Sequence, residues 1–270
     1  MSTPKSVAEP PRRNAELERQ LIDALSGSPF GQPCHAFDEL ASTMDYAHQL
    51  AVQGAPEGSC VWAQRQLAGR GRAGRTWVSP EGGMYLSLVL RSQRPVEEAP
   101  QIALLAGLAV AEAVQELTGL SPRIRWPNDV LLNDEKLAGI LTEGRSSDQH
   151  GPHVIVGLGL NVTTPPDALP PGATSLARST DRALDRIALA AELLRRLGSY
   201  YVRWHREGFG EIRPHLLPWI GIFGRFIDVT VGKRTVHGEA VDVDEAGRLV
   251  VRLESGVLQA FDAGEVTLLR

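Results

Sequence analysis

Residues 64–80 read Gln-Arg-Gln-Leu-Ala-Gly-Arg-Gly-Arg-Ala-Gly-Arg-Thr-Trp-Val-Ser-Pro, with four arginines and no acid. They lie between two apolar segments, 59–66 and 84–90, that read as β-strands. The glycines satisfy two phosphate-binding patterns at once. Gly69-x-Gly71-x-x-Gly74 matches the dinucleotide fingerprint, and Gly69-x4-Gly74-Arg75-Thr76 resembles a P-loop with arginine in place of lysine. Both patterns seat a phosphate on a helix that opens at the glycines. Here Thr76-Trp-Val-Ser-Pro-Glu-Gly-Gly83 follows and then a strand, so both lack the helix they need. What remains is an excursion between strands. Its glycines let backbone N–H groups approach an anion, and its arginines offer planar forks to a carboxylate or phosphate.

The loop is locally +4 in a chain whose 28 Lys and Arg and 32 Asp and Glu leave a net charge of −4. Bulk charge therefore draws the molecule neither to nucleic acid nor to an anionic membrane. A nucleic-acid-binding module with Trp77 stacking on bases is the non-enzymatic alternative, but the chain offers no second basic stripe to extend the footprint. Cys34 and Cys60 form no CxxC and have no histidine at metal-ligand spacing. Neither a disulfide framework nor a zinc site is indicated, and a cytoplasmic location is expected. The most apolar run, residues 102–111, ends at Glu112 and reads as too short for a bilayer of about 30 Å. The opening residues carry no apolar core of a secretion signal.

The 270 residues allow one large domain with a small one. The first dozen read as a tail without chemistry, and residues 14–25 as one amphipathic helix. That leaves no room for a helix-turn-helix reader before the first motif. Ser42 and Asp45 fit a capping box that starts a helix running to Gln53. Residues 101–117 read as a buried Ala-rich helix, 123–143 as hairpin-like, 153–161 as a strand. Asp181 or Asp185 caps a long helix through Ile187, Leu194, Leu197, Tyr201 and Trp204. From Gly224 five short strands, at 226–231, 236–243, 249–253, 257–261 and 266–269, suggest a small β-barrel. The fold class expected is α+β, in three parts: 1–33, 34–222 and 223–270.

Four pieces occur in a fixed order: Ser42-Thr43; Gln66-x-x-Gly-Arg-Gly-Arg-x-Gly-Arg-x-Trp77; Arg125-Trp-Pro-Asn-Asp129 with Lys136-Leu-Ala-Gly-Ile-Leu141; and Gly157-Leu-Gly-Leu-Asn161. Taken together over residues 38–205 they resemble the biotin protein ligases, or holocarboxylase synthetases. The C-terminal strands resemble that family's SH3-like barrel. The resemblance implies a class II synthetase-like mixed sheet with packed helices. The short N-terminus resembles the single-function members, which lack a DNA-binding domain. It also implies the reaction. Biotin carboxylate attacks the α-phosphate of Mg-ATP to give biotinyl-5′-AMP and pyrophosphate, and a lysine of a biotin carboxyl carrier domain of an acyl-CoA carboxylase then attacks the adenylate. A lipoate or octanoate ligase or transferase on the same scaffold is the nearest alternative.

By position, the resemblance assigns the ureido ring of biotin to Ser42, Thr43 and Gln66, with Met44, Gly71 and Gly139 also bordering biotin. Arg70, Gly71 and Arg72 would enclose the carboxylate and α-phosphate, Arg75 would lie near the phosphates, and Trp77 would stack on adenine. Asn128 and Asn161 would contact the nucleotide or organise the Mg-phosphate region, with Asp129 the candidate beside the metal and no other metal ligand assigned. Lys136 would bridge carboxylate and α-phosphate, which makes Lys136, Arg70 and Arg72 the expected catalytic groups. Met44 and Arg125 depart from the asparagine and lysine usual in the family. Nothing suggests a covalent nucleophile: there is no G-x-S-x-G elbow and no Cys/His pairing.

Overall fold

A computed structural model of the protein describes residues 11–269, so most of the expected N-terminal tail lies outside the described residues. The chain enters through α1 (Ala15–Ala24), whose first turn is capped by the Asn14 side chain accepting from Leu17 N. The helix buries Leu17 and Leu21, and Glu18 accepts from Ala36 N on β1 (Cys34–Leu40) at 3.0 Å. The sequence alone does not suggest β1. His35, Asp38 and Glu39 interrupt its apolar pattern, as befits a sheet-edge strand with one neighbour, β2 (Cys60–Gln66). α2 (Thr43–Val52) connects these two parallel strands. Its N-cap is Ser42, with Oγ accepting from Asp45 N at 3.4 Å.

The remaining strands of the main sheet are β3 (Gly83–Leu90), β4 (Arg123–Arg125), β5 (Asp129–Leu132), β6 (Glu135–Ser147) and β7 (Gly151–Asn161). The order is β1-β2-β3-β7-β6-β5-β4, antiparallel except for β1 and β2. Both faces are apolar, so the central strands read as unbroken hydrophobic runs. Met84, Leu86 and Leu88 join the core on the side of α3 (Ala99–Thr118) and α4 (Arg186–Glu207), while Val89 and Ile155 join a smaller one under α2. Asp185 is the N-cap of α4, accepting from Ile187 N and Ala188 N.

One expectation changes here. α3 is 20 residues long and by length and composition alone passes as a membrane span. The ten-residue apolar run therefore undercounts the helix, and what accounts for its composition is burial, since it is the core helix packed against β6 and α4. The C-terminal strands β8 (Phe226–Val231), β9 (Arg234–Val243), β10 (Leu249–Arg252), β11 (Leu258–Phe261) and β12 (Glu265–Leu268) form an antiparallel sheet in the order β11-β10-β9-β8-β12. Ile227, Val229, Val243, Leu249 and Val251 share one continuous core with α3 and α4.

The α2 side of the main sheet decides where a ligand fits. α2 covers only part of that face, and beyond its first turn the sheet presents Gly157 and Gly159 of β7 and Gly139 of β6. Gly139 pairs with Gly159 across the strands, so the uncovered patch is a floor without side chains.

Candidate active site

The arginine loop roofs this floor. It prolongs β2 as a twisted hairpin: Gln66 N donates to Ser79 O, Trp77 N to Gly69 O and Gly71 N to Arg75 O, at 2.7–3.1 Å. The tip is a single 3-10 turn, Arg72–Gly74, with Ala73 at φ +54° and Gly74 at φ +74°. β3 follows with no α-helix between, as the sequence requires.

Trp77 lies across the glycine floor. A Cβ on Gly159 would overlap its indole nitrogen, and one on Gly139 would stand 2.9 Å from Cζ3. Gly157 does the same for Met44, whose Sδ would lie 2.7 Å from an added Cβ. Floor and roof enclose a cavity with an open mouth. One end is polar and neutral. Gln66 Oε1 accepts from Thr43 N at 2.8 Å and Thr43 Oγ1 at 3.0 Å, while Gln66 Nε2 donates to Ser79 Oγ at 2.9 Å. Ser87 Oγ donates to Thr43 Oγ1 at 2.8 Å, so both groups are locked before any ligand arrives.

The other end is cationic. Arg72 Nη1 donates only to neutral oxygens, Asn128 Oδ1 at 3.0 Å and Gly264 O of the C-terminal sheet at 3.3 Å. Burial pulls the Arg72 pKa down, which Asp129 and Glu265 only partly offset, so an anion in the cavity would stabilise its charged form. Arg75 Nη1 reaches Glu265 of β12 at 2.6 Å. Lys136 Nζ lies 2.6 Å from Asp129 Oδ1, an ion pair whose angle makes no hydrogen bond, and 5.3 Å from the centre of the Trp77 ring. Asp129 Oδ2 accepts from Arg125 Nη2 at 2.7 Å. Arg70 pairs with Glu143 of β6, Nη2 to Oε2 at 2.6 Å.

The cavity thus brings together Thr43, Met44, Gln66, Arg70, Gly71, Arg72, Arg75, Trp77, Asn128, Lys136 and Gly139. Three sequence-picked residues stand apart. Ser42 faces a different groove and spends its hydroxyl on the α2 cap. Asn161 is buried at the end of β7, with Nδ2 donating to Thr174 O at 3.0 Å. Asp129 sits behind Lys136, paired with Lys136 and Arg125. Among the described residues no three His, Cys, Asp or Glu side chains converge as a metal cluster. The sequence reading missed Ser87, Glu143, Gly264 and Glu265. Only Glu143 left a local signal, since it follows Gly139 and Leu141 with the period of a strand face.

Comparison with known proteins settles the family. The chain is 35% identical to the bifunctional ligase/repressor BirA of Bacillus subtilis over 255 residues, covering 91% of this chain and 77% of that protein. It is 34% identical over 277 residues to a protein of Mycobacterium tuberculosis named biotin–[acetyl-CoA-carboxylase] ligase, covering 99% and 100%. The chain belongs to the biotin protein ligase family.

As a biotin protein ligase it matches two family profiles: the Biotin/lipoate A/B protein ligase family over residues 36–161, and the Biotin protein ligase C terminal domain over residues 222–269. The second of these separates it from the lipoate alternative, because its description names biotin ligases alone. Its fold is similar to that of the Aquifex aeolicus biotin protein ligase solved with biotin and ATP. The TM-score is 0.76 at 29% identity, covering 88% of this chain and 99% of that one. Relatives of both kinds match, ligases and ligase/repressors, so the family membership carries ligation and is silent on repression.

Proposed function

We propose that the cavity holds biotin and ATP side by side, with the biotin ring at the Thr43–Gln66 end and the reacting carboxylate and α-phosphate among Arg70, Arg72 and Lys136. The chain is an ATP-dependent biotin ligase that forms biotinyl-5′-AMP and passes biotin to a lysine. One observation carries the residue-level reading: a neutral, pre-locked polar end and a four-cation end share one glycine-floored cavity. A urea is neutral and donates and accepts hydrogen bonds, so Thr43 and Gln66 suit it where a charged side chain would be left unpaired. Two anions that must meet need cations around them more than they need a nucleophile.

In the first step a biotin carboxylate oxygen attacks the α-phosphorus and pyrophosphate leaves. Lys136 and Arg72 stabilise charge that grows on the phosphorus oxygens, and Arg75 holds the departing phosphates. Trp77, supported from below by Gly139 and Gly159, offers its ring to adenine, and Asn128 orients Arg72. In the second step the acceptor amine attacks the acyl carbon and AMP leaves. The acceptor we infer is a biotin carboxyl carrier domain, and the compartment the cytosol, which suits an ATP-using enzyme with two free buried cysteines. A relative named for ligation alone, 34% identical to this chain, supports ligation without repression.

The test is incubation of the chain with biotin, Mg-ATP and an apo carrier domain, followed by mass spectrometry and pyrophosphate measurement. One biotinyl group on one carrier lysine and matching pyrophosphate are expected. Absence of both overturns the reading. Salt-sensitive retention on DNA would overturn the ligation-only reading.

A further inference from the structure

We propose that Glu143, held from behind by His48 and His153, is the positioning residue that aims Arg70 into the cavity. The inference rests on the ligase reading above, in which Arg70 meets the biotin carboxylate.

Glu143 leaves β6 on the same face as Gly139 and Leu141, which line the cavity. Its Oε2 accepts from Arg70 Nη2 at 2.6 Å, the one side-chain hydrogen bond Arg70 makes among the described residues. The same oxygen lies 3.2 Å from His48 Nε2, and His48 Nδ1 lies 3.3 Å from His153 Nε2. His48 projects from α2 one turn after Met44, and both histidines are buried. An arginine loop, a helix and two strands therefore meet at one carboxylate.

The protons follow from that carboxylate. Ionised, it only accepts, so His48 must carry its hydrogen on Nε2 and present a lone pair at Nδ1. His153, with its hydrogen on Nε2, donates to that lone pair. Burial alone would raise the Glu143 pKa, but its bonds to Arg70 and His48 outweigh it and hold the acid below the usual carboxylate range. Burial also keeps both histidines neutral by lowering their pKa values. Other charges face the cluster: Arg145 at 3.4 Å from Glu143, Asp45 at 3.4 Å from Arg70 Nε, and Arg91, whose field acts on His153.

A flexible arginine beside an exposed acid gains little from pairing. Glu143 differs because a neutral donor fixes it from the rear. It engages one Nη2 hydrogen of Arg70, and with Nε buried beside Asp45 the remaining Nη hydrogens are left for a carboxylate. Arg70 thus lines the cavity while still paired. The contact does not have to break for the ligand to bind.

Steady-state pyrophosphate release by the full chain with saturating apo carrier domain, biotin and Mg-ATP being varied separately, tests this. Glu143→Gln keeps the shape and removes the charge. It should raise KM for biotin about tenfold, the low end of a lost charge-assisted hydrogen bond, with kcat and KM for ATP within twofold. His48→Phe should shift KM for biotin the same way by a smaller factor. In an Arg70→Ala background Glu143→Gln should add nothing, because Glu143 acts through Arg70. A merely structural role would move kcat and both KM values together. Unchanged or lower KM for biotin in Glu143→Gln, or an effect that adds to that of Arg70→Ala, overturns the positioning role in an enzyme that is otherwise active. A wild-type chain that releases no pyrophosphate overturns the ligase reading itself, and the positioning role with it.

Discussion

Lys136 is the second residue of β6, its backbone fixed on both sides: its N donates to Gly172 O and its O accepts from Thr174 N. Its ammonium has three donors, and Asp129 lies on one side only. A cation fixed in place but incompletely paired is suited to charge that appears only in the transition state. Lys136→Ala should slow single-turnover formation of biotinyl-5′-AMP by roughly 10²–10³, the typical cost of removing one such donor, with the melting temperature little changed. A rate within threefold of the wild type would remove the role. The buried histidines permit a second prediction at this scale. His35, His48 and His153 all have pKa values lowered from 6.5, chiefly by burial. The folded chain then binds fewer protons than the unfolded chain once pH drops below 6.5. Stability should be full above that pH and fall on acidification toward the lowered values. Melting curves between pH 8 and 5 check this, and a melting temperature flat across that window would contradict it.

Among the elements, β6 and β7 matter most, because their glycines make the floor. Gly159→Ala puts a methyl where the Trp77 indole nitrogen lies, so the ring must leave the floor. KM for ATP should rise about tenfold or more, in line with the roughly 1–3 kcal/mol of one base–aromatic stack, while KM for biotin changes less. Equal KM values for ATP in the two proteins would show that Trp77 does not carry adenine. Most of the strands, both long helices, the Ser42 cap and an α4 cap at Asp181 or Asp185 were legible because they depend on neighbours within a few residues. β1 was not, since its polar positions are explained only by α1 and the sheet edge. Of the site, the loop and Lys136 were legible through motif order. The acids that hold them were not: Glu143 is 73 residues from Arg70 and Glu265 190 from Arg75, and nothing local marks such partners.

For the whole molecule, the junction with the C-terminal sheet governs how the chain unfolds. Its composition suggests a separate module, yet its core is continuous with that of α3. Polar contacts cross as well. Trp126 Nε1 donates to Gly247 O at 3.0 Å, Gln101 Nε2 to Ala246 O at 3.0 Å, and Arg213 Nη2 to both carboxylate oxygens of Asp242 at 2.7 Å. Trp126 belongs to the Trp-Pro-Asn-Asp motif, so the segment that supplies Asn128 to the cavity also anchors the C-terminal sheet. Gly264 and Glu265 return from that sheet to Arg72 and Arg75. Two bodies joined this way should unfold as one. Urea unfolding followed by tryptophan fluorescence and by far-ultraviolet circular dichroism should give coincident single transitions. Arg213→Ala leaves Asp242 without its partner across the junction. It should move both curves together to lower urea with an unchanged slope, by about 1–3 kcal/mol for a part-buried charged pair. If the C-terminal sheet instead melted first, fluorescence and dichroism would separate, and Arg213→Ala would widen the gap between them.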